Sequence, residues 1–387
     1  MKSRFVLLVA VAVSLSGCGK SAIHFMREGG PVAQAPKVEK AAALRKVWRR
    51  DLGAGYSNSN FLLTPSIQDG RVYAAEPGGN LLALHADTGN IIWKSDLDQP
   101  LAAGVGAAEH HVVVVTREGE VVALDTEKGE VLWRQKLGTE ILARPVLTGP
   151  RILLRSGDGQ VIGLDLDSGD VLWRVRRSVP ALTIRGLSAP LVIDDVAVIG
   201  FASGRLSGID VESGAELWSA RIFRARGNNE VNRLVDIDSD PYRIGEQLVI
   251  AGFQAQVSGL SLTTRRIEWD SDHSTLRPLS SVGNTVLLTA DDGAVVGLDV
   301  RSGTQLWQMS ALRGRGVSGP YGLAETSFAV VGDYKGLLYL INAQSGELVG
   351  RKKGSGGAVL GIFATQASNQ FITLSESGAL TAWSVAD

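Results

Sequence analysis

The chain has 387 residues, with 39 Lys and Arg against 40 Asp and Glu and a formal net charge of −1, which excludes a global field drawing it to nucleic acid. A hydrophobic share of 44% with only 20% charged residues excludes a disordered polyelectrolyte. One Cys excludes an internal disulfide and a thiolate metal cage, so the folded body must be held by packing, and its 46 Gly demand many tight turns.

At the N-terminus, Lys2 and Arg4 precede an apolar run from Phe5 to Val13. That run is far shorter than the roughly 20 residues a membrane-spanning helix needs, so residues 1–17 read as a signal peptide. It ends in Leu15-Ser16-Gly17-Cys18, which resembles the lipobox of bacterial lipoproteins. The resemblance implies cleavage before Cys18 and lipidation of its thiol. With Gly19 rather than Asp next, it also implies sorting to the outer membrane, facing the periplasm. An ordinary secretory signal with a chance Cys is the alternative. Residues 18–44 then read as the lipidated Cys and a flexible tether. As a coil, the 26 residues 19–44 would span roughly 28 Å.

From residue 45 onward one phrase recurs: Gly, an apolar run ending in Leu-Asp, Ser/Thr-Gly, then Trp fourteen residues after the first Gly. Copies run from Gly79 to Trp93, Gly119 to Trp133, Gly159 to Trp173, Gly204 to Trp218 and Gly293 to Trp307. Ala255 to Trp269 is a weaker copy with Arg265 at the turn Gly, and Gly336 to Gly350 lacks the Trp. Each reads as a β-hairpin, and another pair of apolar runs precedes it, giving four short strands in about 40 residues. Such a period suits a propeller blade.

The chain ends complete the count. Gly378 to Ser384 matches only the start of the phrase, whereas Lys46-Val47-Trp48-Arg49 matches its missing second strand. The prediction is an all-β, eight-bladed propeller over residues 45–387, built of four-stranded antiparallel blades. The N-terminal strand would close the ring by joining the C-terminal strands, hiding the open edges. Seven blades with an added strand is the alternative. Seven Trp fall at equivalent outer-strand positions, which points to packing between blades rather than a ligand platform. The repeat Gly would allow the close approach beneath each ring.

The phrase Leu-Asp-x-x-Ser/Thr-Gly-x-x-x-Trp resembles the repeat of quinoprotein dehydrogenases. That likeness implies the fold rather than the chemistry: the second Cys of their quinone sites is missing, and no distinctive calcium-binding set is evident. The lipobox, short tether and eight repeats together resemble the BamB family, lipoprotein subunits of the outer-membrane β-barrel assembly machinery. Two longer intervals add to this: Trp173 to Trp218 is 45 residues and Trp218 to Trp269 is 51, against 40 for the two before them. They contain Pro180-Ala181-Leu182-Thr183-Ile184-Arg185-Gly186 and Asn232-Arg233-Leu234-Val235-Asp236-Ile237-Asp238. Both segments resemble the family's contacts with the POTRA domains of the barrel-inserting subunit BamA. The resemblance implies Leu182, Ile184, Arg185, Asp236 and Asp238 as partner-binding residues in a non-enzymatic scaffold with no cofactor or metal. Unfolded outer-membrane clients are a further implied partner. The alternative is a periplasmic quinone- or small-ligand-binding propeller.

Both segments precede a Pro that opens the next blade, Pro190 and Pro241, so they are expected side by side on one face. Aliphatic side chains would supply burial there and the charges orientation. The bland reading is that Leu182 and Ile184 fill a gap while Arg185 pairs with Asp236 or Asp238. Three other patterns are decoys. Gly314 to Gly319 has dinucleotide-loop spacing without a strand-to-helix unit. Asp236 to Asp240 imitates a calcium loop but meets Pro241 where Gly is needed. His110-His111 would point to opposite faces of a strand. Arg351-Lys352-Lys353 and earlier Arg clusters form a basic rim, read as solvated surface or as a contact for acidic protein or lipid headgroups.

Overall fold

The computed structural model describes residues 34–38, 43–57, 59, 62–179, 188–224, 235–252 and 255–386. Within them the chain forms 32 strands, numbered β1 to β32 in chain order, in eight antiparallel sheets of four. Seven blades are sequential, spanning 66–96, 101–136, 146–176, 191–221, 242–271, 280–309 and 321–353. The eighth combines β30 (Val359–Ala364), β31 (Gln370–Ser375), β32 (Ala379–Ala386) and β1 (Ala43–Asp51). β1 runs antiparallel to β32 from Ala43 opposite Ala386 to Asp51 opposite Ala379, with a bulge at Val47. The expected closure of the ring is therefore present, and the count is eight.

Burial follows from each strand's place in its blade. In blade 3 the middle strands β11 (Arg151–Arg155) and β12 (Gln160–Asp165) are covered on both faces, so Ile152-Leu153-Leu154 is an unbroken apolar run. The outermost strand β13 (Val171–Arg176) alternates between exposed and half-buried side chains. The first strands of several neighbouring blades touch one another, so the chain enters each blade at the axis and leaves it at the rim.

The Trp residues tie one blade to the next. The indole N–H of Trp93 donates to Thr126 O at 2.9 Å and that of Trp133 to Leu166 O at 3.0 Å, each reaching the following blade. Trp48, Trp173, Trp269 and Trp307 make the equivalent bond. A turn Gly of the next blade lies beneath each of these rings. Gly214 has φ +72°, and a Cβ there would stand 2.6 Å from the Trp173 ring. Only a residue without a side chain fits both the left-handed backbone and the gap. The weak copy shows the alternative: Arg265 keeps φ at +56° and lays its guanidinium over Trp218, 5.6 Å from the ring centroid. Blades 7 and 8 meet without this device, because Gly350 replaces the Trp and the chain termini replace the turn. Leu44, Leu338, Phe371 and Trp383 fill that junction instead.

The repeat Asp is a turn former. Asp165 Oδ1 accepts the N–H groups of Asp167 and Ser168, and Asp299 Oδ1 those of Arg301 and Ser302. Hydrogen bonding from Ser168 lowers the Asp165 pKa, and that from Ser302 lowers the Asp299 pKa.

Candidate partner-binding site on the connector face

Segments that link blades share one face of the ring with the turns between second and third strands. Backbone bonds show this: Leu97 N–H donates to Gly79 O, Leu137 N–H to Gly119 O and Arg177 N–H to Gly159 O. The long connectors between blades 3 and 4 and between blades 4 and 5 both begin on this face. Leu182, Ile184 and Arg185 lie outside the described residues, whereas the flanks of their connector and the end of the next one are described.

Those flanks meet. Ala189 N–H, just before blade 4, donates to Asp240 Oδ1 at 2.6 Å, just before blade 5, so the two connectors are bonded to each other. Arg144, ahead of blade 3, stands 3.9 Å from the other oxygen of the same carboxylate. Ile237 is fully buried against Gly200, where a Cβ would stand 2.3 Å from Ile237 Cγ2. The backbone of the second connector is thus pressed onto blade 4, as side-by-side placement requires.

Asp236 and Asp238 are enclosed rather than displayed, at 2% and 8% exposure. They flank Ile237 and share their surroundings with Arg155, itself 7% exposed at the end of β11. Arg155 Nη1 donates to Ser188 O at 3.1 Å and Ser188 Oγ at 2.6 Å, and its guanidinium lies 5.9 Å from the Phe201 ring centroid. One buried cation therefore holds the end of the first connector and faces the carboxylates of the second. The balance is incomplete at Asp238, neither of whose oxygens has a hydrogen-bond partner among the described residues. Burial, reinforced by Asp236 and opposed by Arg155, pushes the Asp238 carboxyl up to about 7.

Sequence reasoning missed Arg155, although the repeat carries a signal for it. The residues ending the second strand of the eight blades are Ala75, Thr116, Arg155, Gly200, Ala251, Thr289, Gly332 and Ser375. Seven are small, and the long cation stands where the two extended connectors converge. Beside it, Arg177, Ser178, Phe201, Ser203, Arg205 and Ser207 line a concavity of about 360 Å³ between the start of the first connector and blade 4. Arg177 Nη2 is held by Glu216 at 2.5 Å and Arg205 Nη2 by Ser219 Oγ at 2.7 Å, so these cations are already engaged.

Two of the decoy motifs have structural explanations. The Gly314 to Gly319 segment carries Arg315 into the interior, where Nε and Nη2 donate to Asp333 Oδ2 at 2.9 and 2.5 Å. Tyr339 donates to the same oxygen at 2.8 Å. In the Asp236 to Asp240 run, Asp240 Oδ1 accepts the Ala189 N–H and Ser239 Oγ donates to Arg277 O.

The family model described as "Outer membrane protein assembly factor BamB" matches residues 77–308 and 291–387. A Pseudomonas aeruginosa protein of that name is 41% identical over 346 residues, covering 89% of this chain and 90% of its own. The Escherichia coli protein of that name is 32% identical over 349 residues, 88% of each chain. The crystal structure of BamB from Moraxella catarrhalis superposes with a TM-score of 0.81 at 27% identity, covering 88% of this chain and all of that one. A quinohemoprotein alcohol dehydrogenase from Comamonas testosteroni superposes with a TM-score of 0.66 at 13% identity, a likeness of fold alone. With a family model matching residues 77–387 and relatives matched over about nine-tenths of their length, the chain belongs to the BamB family of outer membrane protein assembly factors.

Proposed function

We propose that the ring is a non-enzymatic scaffold in outer-membrane β-barrel protein assembly. It is anchored at the periplasmic surface of the outer membrane through a lipid on Cys18, after removal of residues 1–17, with 18–42 as tether, since Ala43 and Leu44 already belong to β1. Its partner is the barrel-inserting subunit BamA, whose POTRA domains dock on the connector face, and unfolded barrel clients are a second partner class. The observation that carries this reading is the convergence of the two long connectors beside Arg155 in a chain of this family.

Leu182, Ile184 and Arg185 are the partner contact, with the aliphatic pair supplying buried area and the guanidinium setting orientation. Asp236 and Asp238 belong to the site in a different way from surface charges. Their burial suits them to fixing the connector that presents the contact, because a partner cannot reach them without opening it. Arg185→Glu tests the reading: POTRA capture should weaken at least tenfold while the thermal transition stays in place. Unchanged affinity would remove this surface from the interface.

A further inference from the structure

We infer that the outer wall formed by blades 7 and 8 is a membrane-facing surface that binds anionic phospholipid headgroups. The inference goes beyond the partner site but rests on the lipid-anchored reading, since the anchor is what brings this wall to a bilayer.

Two independent observations meet there. The first is the route of the tether. Arg351, on the outermost strand of blade 7, β29 (Leu348–Lys353), donates through Nη1 to Pro36 O at 2.7 Å and Ala35 O at 3.4 Å. Ala35, Pro36 and Val38 are half-buried, so this stretch lies on the ring wall. Only residues 19–33 then separate Cys18 from the described segment, and fifteen residues reach about 50 Å at full extension. The clamp therefore leads the tether away from one side of the ring.

The second observation is charge. β29 and β1, the adjacent outermost strands, carry Arg351, Lys352, Lys353, Arg45, Lys46, Arg49 and Arg50 against one acid, Asp51. Six of the seven cations are exposed and Arg50 is half-buried. Among the described residues the ion pair in this set is Arg49 with Asp51. The corresponding strand of blade 5 (Ile267–Ser271) instead carries Glu268 and Asp270 and no cation. A chain of net charge −1 thus concentrates cations on the wall that holds its tether.

Register sharpens the site. Lys352 pairs with Leu338 and Lys46 with Trp383, and both partners belong to the apolar cluster between blades 7 and 8. The two lysines therefore sit on facing flanks of the junction that lacks the Trp-over-turn clasp of the others. Lipid phosphates are suitable ligands: each ammonium supplies donors to phosphate oxygens, and attraction to an anionic surface grows with each added cation.

The test uses mature chain, residues 18–387, bearing Cys18→Ser, so that vesicle binding is independent of the anchor. Flotation with phosphatidylglycerol-containing vesicles at low salt should capture the protein, whereas neutral phosphatidylcholine vesicles or high salt should not. The triple variant Lys46→Gln, Lys352→Gln, Lys353→Gln should lose more than tenfold in capture, since each surface charge contributes about fivefold. A control with the same net charge, Lys128→Gln, Arg243→Gln, Arg301→Gln, should stay within about twofold of the parent because its changes lie away from this wall. Absence of capture at low salt, or equal loss in the control, would overturn the inference. POTRA binding in solution should be unchanged in both triples. Failure of the Cys18 chain to incorporate labelled fatty acid would instead sink the anchor reading, whatever the vesicles do.

Discussion

Replacing Asp238 with Asn converts the burial of one carboxylate into a measurable pH dependence. A free aspartate ionises near 3.8, and this one is pushed up to about 7. The folded state therefore retains a proton that the unfolded chain has lost across that interval. Stability contributed at this position falls as pH rises from about 4 to about 7 and is level above it. At roughly 1.4 kcal/mol per pH interval, the full penalty is about 4 kcal/mol. Between pH 5 and pH 8 the part that develops is about 3 kcal/mol. Asn does not ionise, so Asp238→Asn should gain about 3 kcal/mol relative to the parent over that range, whatever fixed cost the amide carries. Urea denaturation followed by Trp fluorescence at both pH values gives the double difference, in which titrations uncoupled from Asp238 cancel. A gap independent of pH would refute the account, and one that favours Asp as pH rises would also place the carboxylate in a stabilising ion pair.

Substitutions at three further positions follow from the same packing. Arg155→Met should cost about 3–5 kcal/mol by leaving buried carboxylates without their cation and Ser188 without its donor, and should weaken POTRA capture. Arg155→Lys should recover part of both; a destabilised Met variant with full partner affinity would separate Arg155 from the site. Trp93→Ala should cost about 3–5 kcal/mol in chemical denaturation, through loss of a buried indole and its bond to Thr126. Asp333→Asn should cost a similar amount, about 3–5 kcal/mol, because Arg315 stays buried while the carboxylate accepting from its Nε and Nη2 loses its charge, and calorimetry would register it.

Much of the ring was readable because its packing device is periodic. A Trp and a turn Gly separated by a fixed number of residues mark one indole laid over the next blade, and the split phrase at the chain ends marks the closing strand. The site was less legible for the opposite reason. Arg155, Ser188 and the Asp236 to Asp240 run come from two connectors and a third blade, so no local spacing joins them. The Asp pair looks like surface charge in sequence because its enclosure depends on Ile237 packing onto Gly200, a contact between parts of the chain that repeat arithmetic does not align. Arg351 likewise reads as one of a basic run, and its bond to Pro36 spans 315 positions.

The pairing of β1 with β32 also sets an order of events in folding. The strand synthesised first finds its neighbour only when the last strand has emerged, so the blades between can form locally while the circle stays open. Joining ends more than 300 residues apart in a flexible chain would cost roughly 5 kcal/mol, whereas preformed blades already hold those ends near one another. Closure is then a late, largely prepaid step. Until it occurs, β32 presents an unpaired edge, making the interval before closure the period in which the nascent ring most needs protection from pairing with another chain.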